Sequence, residues 1–260
     1  MRSIWPGNLK KKSNRQKNSK VKKIIHRSES RGLADHGWLV SRHTFSFGAY
    51  RNPERIHFGM LRVLNDDIVA PSMGFGRHPH DNMEIISVPL SGDLRHQDSM
   101  GNTTVIRQND IQIMSAGTGV EHSEMNNNRD REVRFLQIWI FPDVRNLEPS
   151  YGQITLDPAD RAGKFQPVIT PAANHQAGTL AIHQQAWFHL GKFETGHSPE
   201  YHLKNPGNGL YVFVLSGTVK TAGEELGPRD GLGIYDADRV ELSAVSDSEI
   251  LLMEVPMPGN

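Results

Sequence analysis

Leu90-Ser91-Gly92-Asp93-Leu94-Arg95 returns later in the chain as Leu215-Ser216-Gly217-Thr218-Val219-Lys220. Downstream of the two copies, Asn109-Asp110-Ile111-Gln112-Ile113-Met114 parallels Arg229-Asp230-Gly231-Leu232-Gly233-Ile234. Each copy runs strand, Gly turn, strand, turn, Asp-led strand, so one supersecondary plan is used twice. Around these anchors, short apolar stretches recur between Gly, Pro, Asn and Asp. They are His57–Leu64, Met83–Leu90, Ile111–Met114, Val133–Phe141, Leu210–Leu215, Gly231–Tyr235 and Ile250–Val255. Strands at this spacing indicate a sandwich or barrel. Met100-Gly101-Asn102 reads as a hairpin tip, and Pro158–Gly163 as one short helical turn. The expected fold is all-β, two tandem small β-barrels. The first barrel is expected over 24–149 and the second over 164–260. The Pro-, Asp- and Gly-rich stretch from Asp143 supplies the connection, with a linker over 150–163.

The 260 residues are ample for two modest domains with buried cores. Absence of cysteine removes disulfides, thiolate metal sites and thiol nucleophiles together. It fits a reducing, cytoplasmic location. No apolar run reaches the roughly 18 residues of a membrane span, and the first residues lack the apolar core of a signal peptide. The balanced net charge conceals an asymmetry. Residues 1–23 carry nine of the 29 basic side chains and no acidic one, leaving 20 basic against 29 acidic residues, a formal charge of −9, in the remainder. That opening segment reads as a disordered basic tail, solvated or in contact with nucleic acid or another anionic surface.

Gly76-Arg77-His78-Pro79-His80-Asp81-Asn82-Met83-Glu84 carries the strongest chemical signal. On a strand, residues two apart share a face, so His78 and His80 present two imidazoles side by side. Pro79 between them points away and suits an edge or bulge. A second pair, His122 and Glu124, stands in Ala116-Gly117-Thr118-Gly119-Val120-Glu121-His122-Ser123-Glu124. Two such pairs in one small barrel can converge on a point. Three imidazoles and a carboxylate suit Fe(II), Mn, Co, Ni, Cu or Zn. Glu84 has the same parity as His78 and His80. Spacing alone therefore leaves it competing with Glu124, as ligand or as an acceptor orienting an imidazole.

The His-x-His-x-x-x-Glu run and the run from Gly117 to Asn126 resemble the two cupin motifs. More specifically the chain resembles the pirin family, two-barrel cupins (bicupins). The resemblance is carried by His36-Gly37-Trp38, His43-Thr44-Phe45-Ser46-Phe47, Gly74–Glu84, His96-Gln97-Asp98-Ser99-Met100-Gly101-Asn102 and Met114–Glu124. It implies a metal held by His78, His80, His122 and Glu124, usually iron, with Glu84 behind them. It also implies opening of flavonols such as quercetin by dioxygen, with Glu124 as the carboxylate that takes the hydroxyl proton. Trp38, Phe45, Phe47 and Met73 are the expected lining of the substrate pocket. The family equally implies a second role, a metal-dependent regulator that binds a transcription factor or metabolic enzyme.

The second barrel lacks the pattern. Alignment on Leu-Ser-Gly sets Leu203 and Asn205 against His78 and His80, and Gly209 against Glu84. Alignment on the Asp-led strand sets Leu242 and Ala244 against His122 and Glu124. His197 and His202 offer no same-face pair, so this barrel is expected to be structural.

Overall fold

Alternate residues of a strand face opposite sides, and in this chain the two sides of each large sheet meet different partners. The computed structural model describes residues 21–258. The first half contains β1 (Lys22–His26), β2 (Gly32–Asp35), β3 (Leu39–His43), β4 (Leu61–Val69), β5 (Gly74–His80), β6 (Glu84–Ser91), β7 (Leu94–Asp98), β8 (Thr103–Ile106), β9 (Asp110–Ser115), β10 (Val120–Asn126), β11 (Val133–Ile140) and β12 (Ser150–Thr155). The second contains β13 (Phe165–Pro171), β14 (Leu180–Ile182), β15 (Trp187–Phe193), β16 (Glu200–His202), β17 (Asn208–Ser216), β18 (Val219–Thr221), β19 (Glu224–Leu226), β20 (Gly231–Tyr235), β21 (Arg239–Ala244) and β22 (Ser248–Pro256). The helical turn expected after Asp157 is a 3-10 turn over Pro158–Arg161, capped by the Asp157 side chain. The tip at Met100-Gly101-Asn102 joins β7 to β8.

Each half is a pair of sheets. In the first, the order β12-β9-β6-β11-β4-β3-β2 lies against β5-β10-β7-β8. In the second, β1-β20-β17-β22-β15-β13-β14 lies against β16-β21-β18-β19. The two seven-stranded sheets also pack on each other. Ile86, Val88, Leu136 and Ile138 from the first half share one apolar cluster with Phe188, Tyr211, Phe213, Leu251 and Met253 from the second. Face-to-face burial of this kind is the dominant stabilising term of such a fold.

Parity then decides what points inward. On β11, Leu136, Ile138 and Ile140 face the other half, leaving Phe135, Gln137 and Trp139 for the interior of the first barrel. On β6, Ile86 and Val88 go to the interface, and Ile85 and Ser87 inward. The register aligns inward residues across strands: His43 opposite Asn65, Asn65 opposite Gln137, Gln137 opposite Ser87. The interior of the first barrel thus carries a polar row. The corresponding face of the second is filled by Leu210, Val212, Val214, Leu232, Ile234, Leu242 and Ala244.

Two expected boundaries move. β1 pairs antiparallel with β20, so residues 22–26 belong to the second half's sheet, not to the first barrel. His26 reinforces this crossing through a 2.8 Å hydrogen bond between its Nδ1 and the Tyr211 hydroxyl. The linker expected over 150–163 contains β12, which completes the first half's sheet by pairing with β9. An unpaired edge exposes a row of backbone donors and acceptors, and each of these strands covers one. Of the basic tail placed over 1–23, Lys22 and Lys23 fall in β1, and residues 1–20 lie outside the described residues. No helix among the described residues is long and apolar enough to cross a membrane.

Candidate metal centre

β5 and β10 run antiparallel, with His122 directly opposite His78. The register slips between His122 and Glu124, a bulge that places Glu124 opposite Phe75. Gly74 permits this close approach. A Cβ there would collide with the carbonyl of Glu124 and the Cα of Met125. At the other end of the motif, Asn126 donates to the carbonyls of Val69, Ala70 and Arg131, tying β10 to the loops beside β4 and β11.

The imidazoles of His78, His80 and His122 converge. Their ring centroids are 4.4 to 4.9 Å apart, and their candidate ligand atoms all lie within 4.8 Å of one another. His78 donates from Nδ1 to the carbonyl of Gly76 at 2.7 Å. That bond fixes the tautomer and leaves Nε2 as the basic nitrogen. Both ring nitrogens of His122 are buried without a hydrogen-bond partner. Burial first, and then the neighbouring His78 and His80 rings, push its pKa down to about 2. Burial likewise pushes His80 down to about 4. Three imidazoles whose candidate ligand nitrogens gather within 4.8 Å, one ring otherwise unsatisfied, fit a borderline divalent ion.

Glu124 is buried and accepts a 2.9 Å hydrogen bond from the Ser87 hydroxyl. Burial raises its pKa to about 7, against the opposing pull of Ser87. Its carboxylate groups with His122 and with His96, all three within 4.8 Å. His122 is therefore shared between two adjoining clusters. His96 was not among the residues expected to hold a metal. It projects from β7, opposite Glu124 across the β7–β10 pairing. Its Nε2 is held by Asp98 at 3.0 Å, and its Nδ1 is buried without a partner. The spacing of His96 and Asp98, two apart on one strand, was the available signal.

Glu84 is not in the centre. Its carboxylate accepts from the Ser115 hydroxyl at 2.8 Å and from the backbone N–H of His183 at 3.2 Å, on the face toward the second half. No imidazole of the cluster is bonded to it, so it orients none of them. The parity that linked it to His80 is lost because β5 ends at His80 and Asn82 turns the chain with φ 46°.

The cluster opens on a cavity of about 720 Å³, within the range of small-molecule sites. Trp38 and Phe47 line it as expected, together with Tyr50, Phe75 and Trp139, which were not anticipated. Phe45 does not: it is buried between the halves beside His26 and Tyr211. Met73 is exposed and outside the lining.

The family models that match are the pirin model, over residues 25–140, and the quercetinase C-terminal cupin domain, over residues 169–255. This chain belongs to the pirin family. Its all-β bicupin architecture agrees with both matches. It is 39% identical over 236 residues to quercetin 2,3-dioxygenase of Escherichia coli, covering 89% of this chain and 98% of that protein. It is 38% identical over 223 residues to a pirin-like protein of Caulobacter vibrioides, covering 86% and 95%. Among solved structures, the bacterial pirin YhhW of Escherichia coli in complex with nickel(II) superposes with a TM-score of 0.85 at 36% identity, over 91% of this chain and all of that one. In the first half of this chain, His and Glu side chains gather in groups that could hold a metal. In its second half, the described residues include no group of three potential ligands.

Proposed function

We propose that this pirin is a metal-dependent dioxygenase that opens flavonols such as quercetin with dioxygen, releasing carbon monoxide. The reading is carried by one observation: three converging imidazoles and a buried carboxylate at the wall of an aromatic-lined cavity. The name of the Escherichia coli relative supports the flavonol.

His78, His80, His122 and Glu124 would hold the ion. Fe(II) is the metal we assign, with Ni(II) the alternative supported by the YhhW complex, and Mn, Co, Cu or Zn also compatible with the donor set. A divalent ion bound there supplies Lewis acidity that lowers the pKa of a hydroxyl presented to it. The chain's own residues do the rest. Trp38, Phe47, Tyr50 and Phe75 offer flat apolar surfaces on which a planar ring system can rest. Ser87 fixes one oxygen of Glu124, so the carboxylate is the group placed to accept the proton of a substrate hydroxyl.

Protein loaded separately with Fe(II), Ni, Mn, Co, Cu or Zn is incubated with quercetin in air, and loss of the flavonol absorbance is followed with carbon monoxide release. Turnover is expected with at least one ion, and its absence with all of them would overturn the reading.

A further inference from the structure

Opposite the imidazoles, the inner face of the seven-stranded sheet carries polar groups that the centre does not use. Asp67 on β4 and Gln137 on β11 both line the cavity. They are 3% and 7% exposed. The Asp67 carboxyl pairs with Ser41, its neighbour across the β3–β4 register. Gln137 donates from Nε2 to the Ser87 hydroxyl at 3.2 Å. Each still keeps one oxygen, Oδ1 of Asp67 and Oε1 of Gln137, that no donor among the described residues reaches. Buried acceptors are normally satisfied, and one left over calls for a partner.

The fold does not require this polarity. At the positions equivalent to Ser87 and Gln112, the second barrel has Val212 and Leu232, and its buried polar groups His189, Tyr201 and Glu254 are bonded to one another. In the first barrel, by contrast, the two leftover oxygens belong to residues that line the cavity. The leftover groups of Asp67 and Gln137 are acceptors, which match hydroxyl donors. The aromatic walls between them and the imidazoles match a flat ring system.

We propose that Asp67 and Gln137 form a second recognition point in the cavity, an acceptor pair that selects polyhydroxylated aromatics by taking hydroxyl groups other than the one at the reacting position. The inference rests on the proposed flavonol reading for the orientation of the ligand. It adds that hydroxyls other than the one at the reacting position determine which flavonols bind.

The test is binding to the metal-loaded protein without oxygen, read by quenching of tryptophan fluorescence. Quercetin, hydroxylated on both of its outer rings, is compared with 3-hydroxyflavone, which keeps only the 3-hydroxyl. Wild type is expected to bind quercetin about tenfold or more tightly, one neutral hydrogen bond being worth close to that factor. Asp67→Leu and Gln137→Met should each remove much of the preference, and the double variant all of it. The 3-hydroxyflavone affinity of the metal-loaded variants should stay within about twofold of wild type, so it reports on folding. A preference that persists in the double variant overturns the proposal. A ligand-side measurement needs no variant: methyl ethers of quercetin that keep the 3-hydroxyl should bind wild type no better than 3-hydroxyflavone, and ethers that bind as tightly as quercetin overturn the proposal. The two readings fail separately. An intact hydroxyl preference without turnover on any metal sinks the dioxygenase and leaves the subsite. Turnover without that preference sinks the subsite and leaves the dioxygenase.

Discussion

Ser87 and Ser115 stand on the same sheet, each donating a hydroxyl to a buried glutamate, on opposite faces. Ser87 reaches Glu124 at 2.9 Å inside the first barrel, and Ser115 reaches Glu84 at 2.8 Å between the halves. If Glu124 holds the metal and Glu84 does not, the same deletion should have different consequences at the two positions. Ser87→Ala removes the one hydrogen bond that the Glu124 carboxylate receives among the described residues. A hydrogen bond to a charged acceptor is worth about 1.5–3 kcal/mol, which is roughly a 10- to 150-fold loss in affinity when the acceptor is a ligand. The direction is reinforced by burial, which already raises the Glu124 pKa to about 7 and which Ser87 opposes. Without Ser87, more of the carboxyl is protonated near neutrality and must lose its proton before it can bind a cation. Ser115→Ala makes an equal chemical change and should cost folding stability while leaving metal affinity within about twofold of wild type. Competition against a chromophoric chelator measures both. Wild-type affinity in Ser87→Ala, or an equal loss in Ser115→Ala, would refute the assignment of the carboxylate.

Further outcomes follow from neighbouring geometry. His122 belongs to both ligand clusters, so His122→Ala should empty the site; His96→Ala, which removes a group that only borders the other imidazoles, should cost about tenfold in affinity by the same chelator assay. Gly74→Ala forces a Cβ against the backbone of β10 at Glu124 and Met125, and thermal unfolding should show a loss of about 1–3 kcal/mol, with lowered metal content. Burial depresses the His26 pKa from 6.5 to about 4, so the folded state keeps the ring neutral while the unfolded chain protonates it. Its contribution is complete above pH 6.5 and is lost as pH falls toward 4, by about 3 kcal/mol. Urea titrations across that window should therefore show a shallower pH slope in His26→Leu, and superimposable slopes would count against the buried neutral ring.

What could be read in the sequence was whatever depends on local period. The i, i+2 spacing of His78 and His80, and of His122 and Glu124, is legible because each pair lies within one strand, and the register slip falls on β5 between Phe75 and His78. The same reasoning fails at Glu84, because it assumes an unbroken strand and Asn82 breaks it. His96 escaped because its place opposite Glu124 depends on the β7–β10 register, which the His96 and Asp98 spacing alone does not encode. Tyr50, Phe75 and Trp139 were missed for the same reason. Trp139 shares parity with Gln137, but which face of β11 looks into the barrel is decided by the other half of the molecule. The crossing of β1 onto β20 is a pairing between residues at opposite ends of the chain, beyond anything that composition or spacing expresses.

That dependence on the other half explains why one barrel can keep a cavity while its twin cannot. In the second half, the apolar interior is itself a core, in which Leu242 and Ala244 fill the places that His122 and Glu124 take in the first. The first half buries its main apolar surface on the outer face of its large sheet, against Phe188, Tyr211 and Phe213. Inside, it has only small apolar clusters, around Leu94, Ile106 and Phe135 at one end and Ile85, Met114 and Val120 at the other. Its strands are thus held in register from behind, by an interface that the interior does not have to supply. This arrangement lets unsatisfied imidazole nitrogens and leftover acceptors persist beside an open cavity, at a cost the shared core offsets. The second barrel on this view acts on the site through rigidity: none of its described residues joins the candidate ligand groups, but it fixes the sheet on which Ser87, Asp67 and Gln137 stand.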